Sequence, residues 1–579
     1  MISLRQLSCG ALAVCAATLS AQPTPAPLPV VTALLADTSG YDLLGRLCDD
    51  FGGRLTGSPA SEAAMNALIG ELRGLGLKPE QQKFTMPGWV RGDDEVTLLA
   101  PLPSPRRLRV AALSYTQPHA PFEAEVVDIG QGRDEDFAKI DARGKIGLLA
   151  ANTSVPRGLY EKAAVERGMR GVLFINREAG GQLLARTGAF SGEPLKIPVY
   201  SLAQEEGKWI GRLLARGQKV RLRMHTRSHC QTIETENLIV RFPGRTAEKI
   251  VIGAHFDSWD LGQGAMDNGI GLAQLFALAK YFAAHPADRL RPIELIWYNG
   301  EEQGLWGSRH AAAVARKEPI AAMVNLDMVG YPLSVNACGD QALVPLLTRF
   351  AATMPVERLR EGVKNVAWLA SDHTPYQLDG VNVITFGAHI DREVNRYYHD
   401  VADTFDKSDP KLIAESAATI GALALFLADH QVQAVQRLGR HVALQVGVVA
   451  LHQAQAGRLG GEGVVALGQP HLLRLEPRRL LVDGQRVVGR LGQQRLVAGV
   501  RRDAAEVRGE FPRRLRRAAA DRHQPAGAGG GERRGEHPGD APGAEDAPVE
   551  LGGHQLSAPT RCARRPPSAA TRGSGSRRS

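Results

Sequence analysis

Two adjacent glutamates, Glu301 and Glu302, close the apolar run RPIELIWYNGEE. Two like charges side by side behind an apolar run are costly to ionise together unless a cation neutralises them. Other groups of the right kind follow similar runs. KIVIGAH ends in His255, with Asp257 two residues on and Asp267 in the following AMDNG; AAMVNLDMVGY carries Asp327, and NRYYHDVADTFDKSD carries His399 in a polar loop. Any one of these, taken alone, is more often a turn or capping residue than a ligand. Together they are imidazoles and carboxylates with no thiolate among them, a set that suits zinc, manganese or cobalt.

His255, Asp267, Glu302, Asp327 and His399 are more ligands than one tetrahedral ion takes, and they suit two ions sharing one carboxylate. Paired ions about 3.5–4 Å apart can bind a water between them, lower its pKa and polarise a carbonyl. Glu301, not needed as a ligand, is placed to take the proton from that water and hand it to a leaving group. Asp257 is expected to hold the second imidazole nitrogen of His255 and fix its tautomer. His310, His373 and His389 lack such settings and read as surface or site-rim residues.

These groups need rigid supports. Ile250, Val251 and Ile252 lead to His255, and Ile293, Leu295 and Ile296 lead to Glu301 and Glu302, with the helical stretch GIGLAQLFALAKYF between them. Short β-branched runs separated by helix predict parallel strands buried on both faces, with reactive groups at their carboxyl edge. The fold class so predicted is α/β, a mostly parallel central sheet sandwiched by helices. Upstream, Leu43, Leu44, Leu47 and Phe51 recur at helical spacing, and Ser58 and Ser61 are placed to cap a helix carrying Met65, Leu68, Ile69 and Leu72. Downstream, Ser408, Asp409 and Pro410 start a last helix whose stripe of Leu412, Ile413, Ala417, Ile420, Leu423 and Leu427 fits packing on a core.

Between these parts the text alternates short strands and turns: FEAEVVDIGQG, KIGLLAA, GVLFIN, IPVYSL and VRLRMHT, with a short helix in YEKAAVERGMRG. The DARGKIGLL, AVERGMRGVLFIN and IPVYSL segments resemble a protease-associated domain, a module inserted into many exported peptidases. The organisation read from the chain is a signal peptide over 1–21, a catalytic domain in two parts (30–119 and 233–430), the insert over 120–227, and a low-complexity tail over 431–579. Arg5 ahead of the apolar run from Leu7 to Leu19 carries the signal reading, and with it export to a secreted or periplasmic location.

Charge is unevenly distributed. From Gln431 onward there are 25 Arg, no Lys and 13 acidic residues, a surplus of 12; the whole chain carries a formal +9, so residues 1–430 carry −3. A nucleic-acid binder needs basic residues interleaved with aromatics on a folded face, and the tail has the single aromatic Phe511. Its Arg/Gly/Ala/Pro text cannot bury enough apolar surface to offset ordering costs of about 1–2 kcal/mol per residue, and it reads as disordered or frame-shifted. Beyond the signal segment, Cys48, Cys230, Cys338 and Cys562 are too few and too scattered for a disulfide framework, though one bridge is open.

HFDSWDLGQGAMDNG, WYNGEEQGLWGS, VNLDMVGY, SDHTPY and YYHDVADTFD, in this order, resemble the co-catalytic di-zinc exopeptidases of the aminopeptidase Y type. The SWDLGQGAMDNG wording is most similar to the plasma glutamate carboxypeptidase (carboxypeptidase Q) branch. The resemblance implies a cofactor of two Zn2+ ions, His255 and Asp327 on one, Glu302 and His399 on the other, with Asp267 bridging. It also implies Glu301 as general base, Asp257 as partner of His255, and hydrolysis of a peptide bond at a chain end or in a dipeptide. The partners so implied are peptide or dipeptide substrates, with no nucleic acid and no membrane span after signal removal; a homodimer is left open. Two other readings compete: a catalytically inactive receptor or binding homologue, and a single-zinc acyltransferase like glutaminyl cyclase. The complete ligand set opposes the first, and the HFDSWD wording and the insert oppose the second.

Overall fold

The computed structural model describes residues 28–151, 159–355 and 357–430. All lie in the first of two compact units, Met1–Arg501; the second, Arg502–Ser579, the expected signal segment 1–21 and the expected tail 431–579 lie outside the described residues.

KIVIGAH forms the strand Lys249–His255 and IELIWY the strand Ile293–Tyr298, each buried at every position. A strand buried on both faces needs cover on both sides of its sheet. Lys249–His255 pairs parallel with Ile293–Tyr298 on one edge and with Ile320–Asn325 on the other, and Val383–His389 continues the parallel set beyond Ile320–Asn325. The helix Ile270–Ala284 makes the crossover between the first two strands.

The whole sheet, however, is mixed rather than mostly parallel, which corrects the expectation. Its eight strands run in the order Glu80–Val90, His229–Phe242, Ile293–Tyr298, Lys249–His255, Ile320–Asn325, Val383–His389, Tyr331–Asn336 and Val363–Lys364. Glu80–Val90 is antiparallel to His229–Phe242, which is antiparallel to Ile293–Tyr298; Tyr331–Asn336 is antiparallel to Val383–His389. Parallel neighbours are joined by a crossover, usually helical, and lie buried on both faces. Exposed and buried residues instead alternate along Lys83–Gly88, as on an antiparallel strand with one face in water.

Helices cover the sheet where their caps and apolar stripes direct them. Ser58 Oγ accepts the Ser61 N–H at 3.1 Å ahead of Pro59–Gly74, and Asp409 caps Pro410–Asp429 through the Lys411 N–H at 2.9 Å. Among the described residues Pro410–Asp429 is long and apolar enough to cross a membrane, but most of it is packed in the core. Leu423 there is fully buried, so Leu423→Ala is worth about 2–5 kcal/mol.

A second eight-stranded sheet lies between Val90 and His229 in the chain. Its order is Arg106–Arg107, Glu95–Ala100, Arg221–Thr226, His119–Asp128, Ile146–Leu149, Gly171–Ile175, Val199–Leu202 and Val110–Ala112. It therefore takes up strands well before residue 120. The two chain crossings into this module are adjacent, because Val90 pairs with His229. The described cysteines Cys48, Cys230 and Cys338 are free.

Candidate metal centre

Strand ends and the loops after them bring the chemistry together. His255 is the last residue of its strand, Asp267 lies in the turn Ala265–Gly269 before the crossover helix, and Asp327 lies two residues past Ile320–Asn325. Glu301 and Glu302 follow Ile293–Tyr298. His399 comes from the loop after Arg392–Asn395 and takes a left-handed backbone, φ 59°. Such a conformation costs a non-glycine residue about 1–3 kcal/mol and persists where surrounding structure enforces it.

Asp267 divides its carboxylate between two rings. Oδ1 lies 3.2 Å from His255 Nε2, and Oδ2 lies 2.9 Å from His399 Nε2. Asp327 stands on the first side, 3.8 Å from His255 Nε2, and Glu302 on the second, 3.1 Å from His399 Nε2. The structure thus brings all five sequence-selected candidate ligands into one cluster, with Asp327 half-buried and the other four buried. Ligand atoms of His255, Asp267 and Glu302 lie within 4.8 Å of one another.

Burial alone would lower both histidine pKa values, yet the carboxylates reverse it. Glu301, Asp267 and Asp327 hold His255 well above its ordinary value, and Glu302 and Asp267 hold His399 at about 9. Burial pushes Glu302 up to about 7 and Glu301 well above the carboxylate range; Asp267 adds to the rise of Glu302 and Glu302 to that of Glu301, with the imidazoles opposing both. Burial would also raise Asp267, but the two imidazoles outweigh it and hold that carboxyl low. Without a cation this cluster stores protons on groups that a metal ion would free. Glu302 Oε1 is buried with no hydrogen-bond partner, as a ligand atom facing an ion would be. The donor set fits a metal.

The other imidazole nitrogens are fixed by main chain. His255 Nδ1 lies 2.9 Å from the Asp257 carbonyl oxygen, while the Asp257 carboxylate is 3.8 Å away. The side-chain contact expected between Asp257 and His255 is therefore made by the backbone. The carboxylate instead accepts the N–H of Glu301 at 3.1 Å and of Glu302 at 3.2 Å. Asp257 holds the glutamate pair in place. Two successive amide donors thus occupy the carboxylate, and the imidazole N–H turns to the carbonyl of the same residue.

Several supporting residues escaped the sequence reading. Arg54, fully buried, donates to the carbonyls of Phe256, Gln263 and Gly264 at 2.7–3.0 Å and so shapes the loop from His255 to Asp267. Asp403 accepts the N–H groups of Met266 and Asp267 at 2.8 and 3.1 Å. Asn268 donates to Leu326 O at 2.7 Å and accepts from Met328 N–H at 3.1 Å, gripping both flanks of Asp327. Asp372 is buried beside the centre, pushed up to about 7 by burial. His373 is a correction: it is fully buried, with Nε2 2.8 Å from the Trp368 carbonyl, not a surface or rim residue. His389 is exposed, and His310 stacks on Phe84 with ring centroids 5.3 Å apart.

Residues 237–424 match Peptidase family M28. The chain is 26% identical over 401 residues to aminopeptidase YwaD of Bacillus subtilis, covering 66% of this chain and 83% of that protein. It is 25% identical over 425 residues to carboxypeptidase Q of Mus musculus, covering 67% and 85%. Among solved structures, the peptidase M28 precursor from Shewanella amazonensis covers 70% of this chain and 97% of its own, with a TM-score of 0.63 at 24% identity. BSAP, a zinc aminopeptidase from Bacillus subtilis, covers 69% and 97% with a TM-score of 0.56 at 21% identity. These two likenesses are likenesses of fold. The family match spans the segment that carries all five clustered candidate ligands, and with the two named relatives it marks this chain as a metallo-exopeptidase.

Proposed function

We propose that this chain is an exported zinc exopeptidase that hydrolyses peptide bonds at chain ends or in dipeptides with two ions. The observation that carries the reading is the division of Asp267, one oxygen toward His255 and the other toward His399. His255 and Asp327 would hold one ion, Glu302 and His399 the other, and Asp267 would serve both. Zinc bound there supplies Lewis acidity, which lowers the pKa of a water and polarises a carbonyl.

The chain's own residues do the rest. Glu301, whose carboxyl burial raises well above its ordinary range, takes the proton of the attacking water and passes it to the leaving amine. Asp257 keeps Glu301 and Glu302 in register through their amides. Trp259, Asp400 and Asp403 line the pocket beside Asp267, Glu302 and His399, and Tyr398 stacks on His399 with centroids 3.6 Å apart. The module between Val90 and His229 is read as a protease-associated domain on the segments that resemble one. Relatives named for opposite chain ends leave end preference to experiment.

Removing metal with a chelator should abolish hydrolysis of dipeptides and aminoacyl amides, and zinc should restore it. Comparing free dipeptides, N-blocked peptides and aminoacyl amides then assigns the end. Full turnover in the chelated, metal-free protein would remove the proposal.

A further inference from the structure

We infer that the module inserted between Val90 and His229 is a working part of the metal centre, fixing its His399–Glu302 half from outside the catalytic sheet. The inference rests on the metal reading above, and it concerns positioning residues rather than ligands.

The contact is made by the segment 183–187. Ala185 exchanges two hydrogen bonds with His399: its N–H donates to the His399 carbonyl at 2.9 Å, and its carbonyl faces His399 Nδ1 at 3.0 Å. That second bond makes Nδ1 the protonated nitrogen and leaves Nε2 free toward Asp267 and Glu302. Leu183 N–H donates to Asp400 Oδ2 at 2.6 Å, the next residue along. On the other ligand, the Thr187 hydroxyl donates to the Glu302 carbonyl, and the Tyr115 hydroxyl donates to the Gln303 carbonyl at 2.6 Å. Two hydroxyls of the module thus grip successive peptides at Glu302.

The same segment is anchored to its own sheet. Ser114 N–H donates to Arg186 O at 3.0 Å, Leu184 N–H to Ser201 Oγ at 3.3 Å, and Asn176 Nδ2 to Gln182 O at 2.9 Å. Leu183, Ala185 and Thr187 are all buried. The segment is therefore a fixed brace, stitched to the module on one side and to two ligands on the other.

The two halves of the centre differ in this respect. On the other half, the tautomer of His255 is set by Asp257 O, and the flanks of Asp327 are held by Asn268. Those partners all belong to the catalytic sheet and its loops. His399, which lies in a left-handed backbone outside any regular element, depends on the module.

The test uses the full chain loaded with zinc, and Thr187→Val against Thr187→Ser. Losing the hydroxyl should release one of two zinc ions about tenfold faster into a chromogenic chelator, leave the other at the wild-type rate, and be rescued by Ser. KM should move less than kcat. Where Thr187→Val does not fold, hydrogen exchange in the wild-type protein decides. Ala185 and Leu183 amides should be about tenfold better protected with zinc than without, since coupling between metal and brace is reciprocal. Zinc leaving Thr187→Val at wild-type rates, both ions accelerating alike, or 183–187 amides indifferent to zinc would overturn the inference while leaving the metal reading intact. A wild-type protein that holds no zinc would remove both.

Discussion

The carboxylate of Asp257 accepts the main-chain N–H of Glu301 at 3.1 Å and stands 3.8 Å from the ring of His255. Its task in this protein is to place the glutamate pair. Asp257→Asn keeps one acceptor oxygen but turns an NH2 toward the second amide. We expect kcat to fall about 10- to 100-fold with KM little changed, read by steady-state kinetics on a dipeptide. An unchanged kcat would assign the placing of Glu301 to other contacts.

Neighbouring residues should part company in function. Glu301→Gln should retain the metal content and lose about 100- to 10,000-fold in kcat, because the proton has no acceptor. Glu302→Gln should instead lose metal, because it faces His399 at 3.1 Å and leaves Oε1 free for an ion. Elemental analysis of the two purified variants separates the roles, and metal loss in both would merge them.

The site was more legible than its supports. His255, Glu302 and Asp327 stand out because a polar group just at or past the end of an apolar strand is visible as a change of residue type, whereas Asp267 and His399, in a turn and a polar loop, stand out only as members of the set. Arg54 is not visible in this way: it lies in GGRLTG, over two hundred residues from the carbonyls it holds at Phe256, Gln263 and Gly264. Hydrogen bonds to main chain leave no mark in the sequence of the accepting residues. Ala185 is the extreme case, since an alanine acting through its backbone carries no chemical signature at all. The parallel centre of the sheet could be read from runs buried on both faces. The antiparallel flanks could not, because the partner of Glu80–Val90 comes only after the whole inserted module.

Arg54 gives a stability prediction. Arg54→Leu leaves the carbonyls of Phe256, Gln263 and Gly264 and the nearby Asp403 without their cation. The loss should be about 3–5 kcal/mol, measured by denaturant unfolding, and Arg54→Lys should recover only part of it because an ammonium lacks the planar fork. A variant as stable as the wild type would contradict the clamp.

The metal-free protein should become less stable as pH rises. His255, His399, Glu301, Glu302 and Asp372 all have folded-state pKa values raised above their ordinary ones. A raised pKa means the folded state binds the extra protons, so its contribution is complete below the unfolded pKa and is lost as pH rises through the folded one. For Glu302 and Asp372 that loss runs from the ordinary carboxylate range through about 7, and for His399 it extends to about 9. Asp267, held low, titrates below this window. Thermal unfolding of chelated protein from pH 5 to pH 9 should show a falling Tm that zinc reverses. A flat or rising Tm would mean the cluster does not store protons.

In the proposed centre Asp267 stands between two metal ions. Anomalous diffraction at the zinc edge, on crystals of the zinc-loaded protein, tests it most directly. Two peaks about 3.5–4 Å apart are expected, one beside His255 and Asp327, the other beside Glu302 and His399, with an oxygen of Asp267 on each. A single peak at full occupancy, in a protein that turns over peptide, would contradict it.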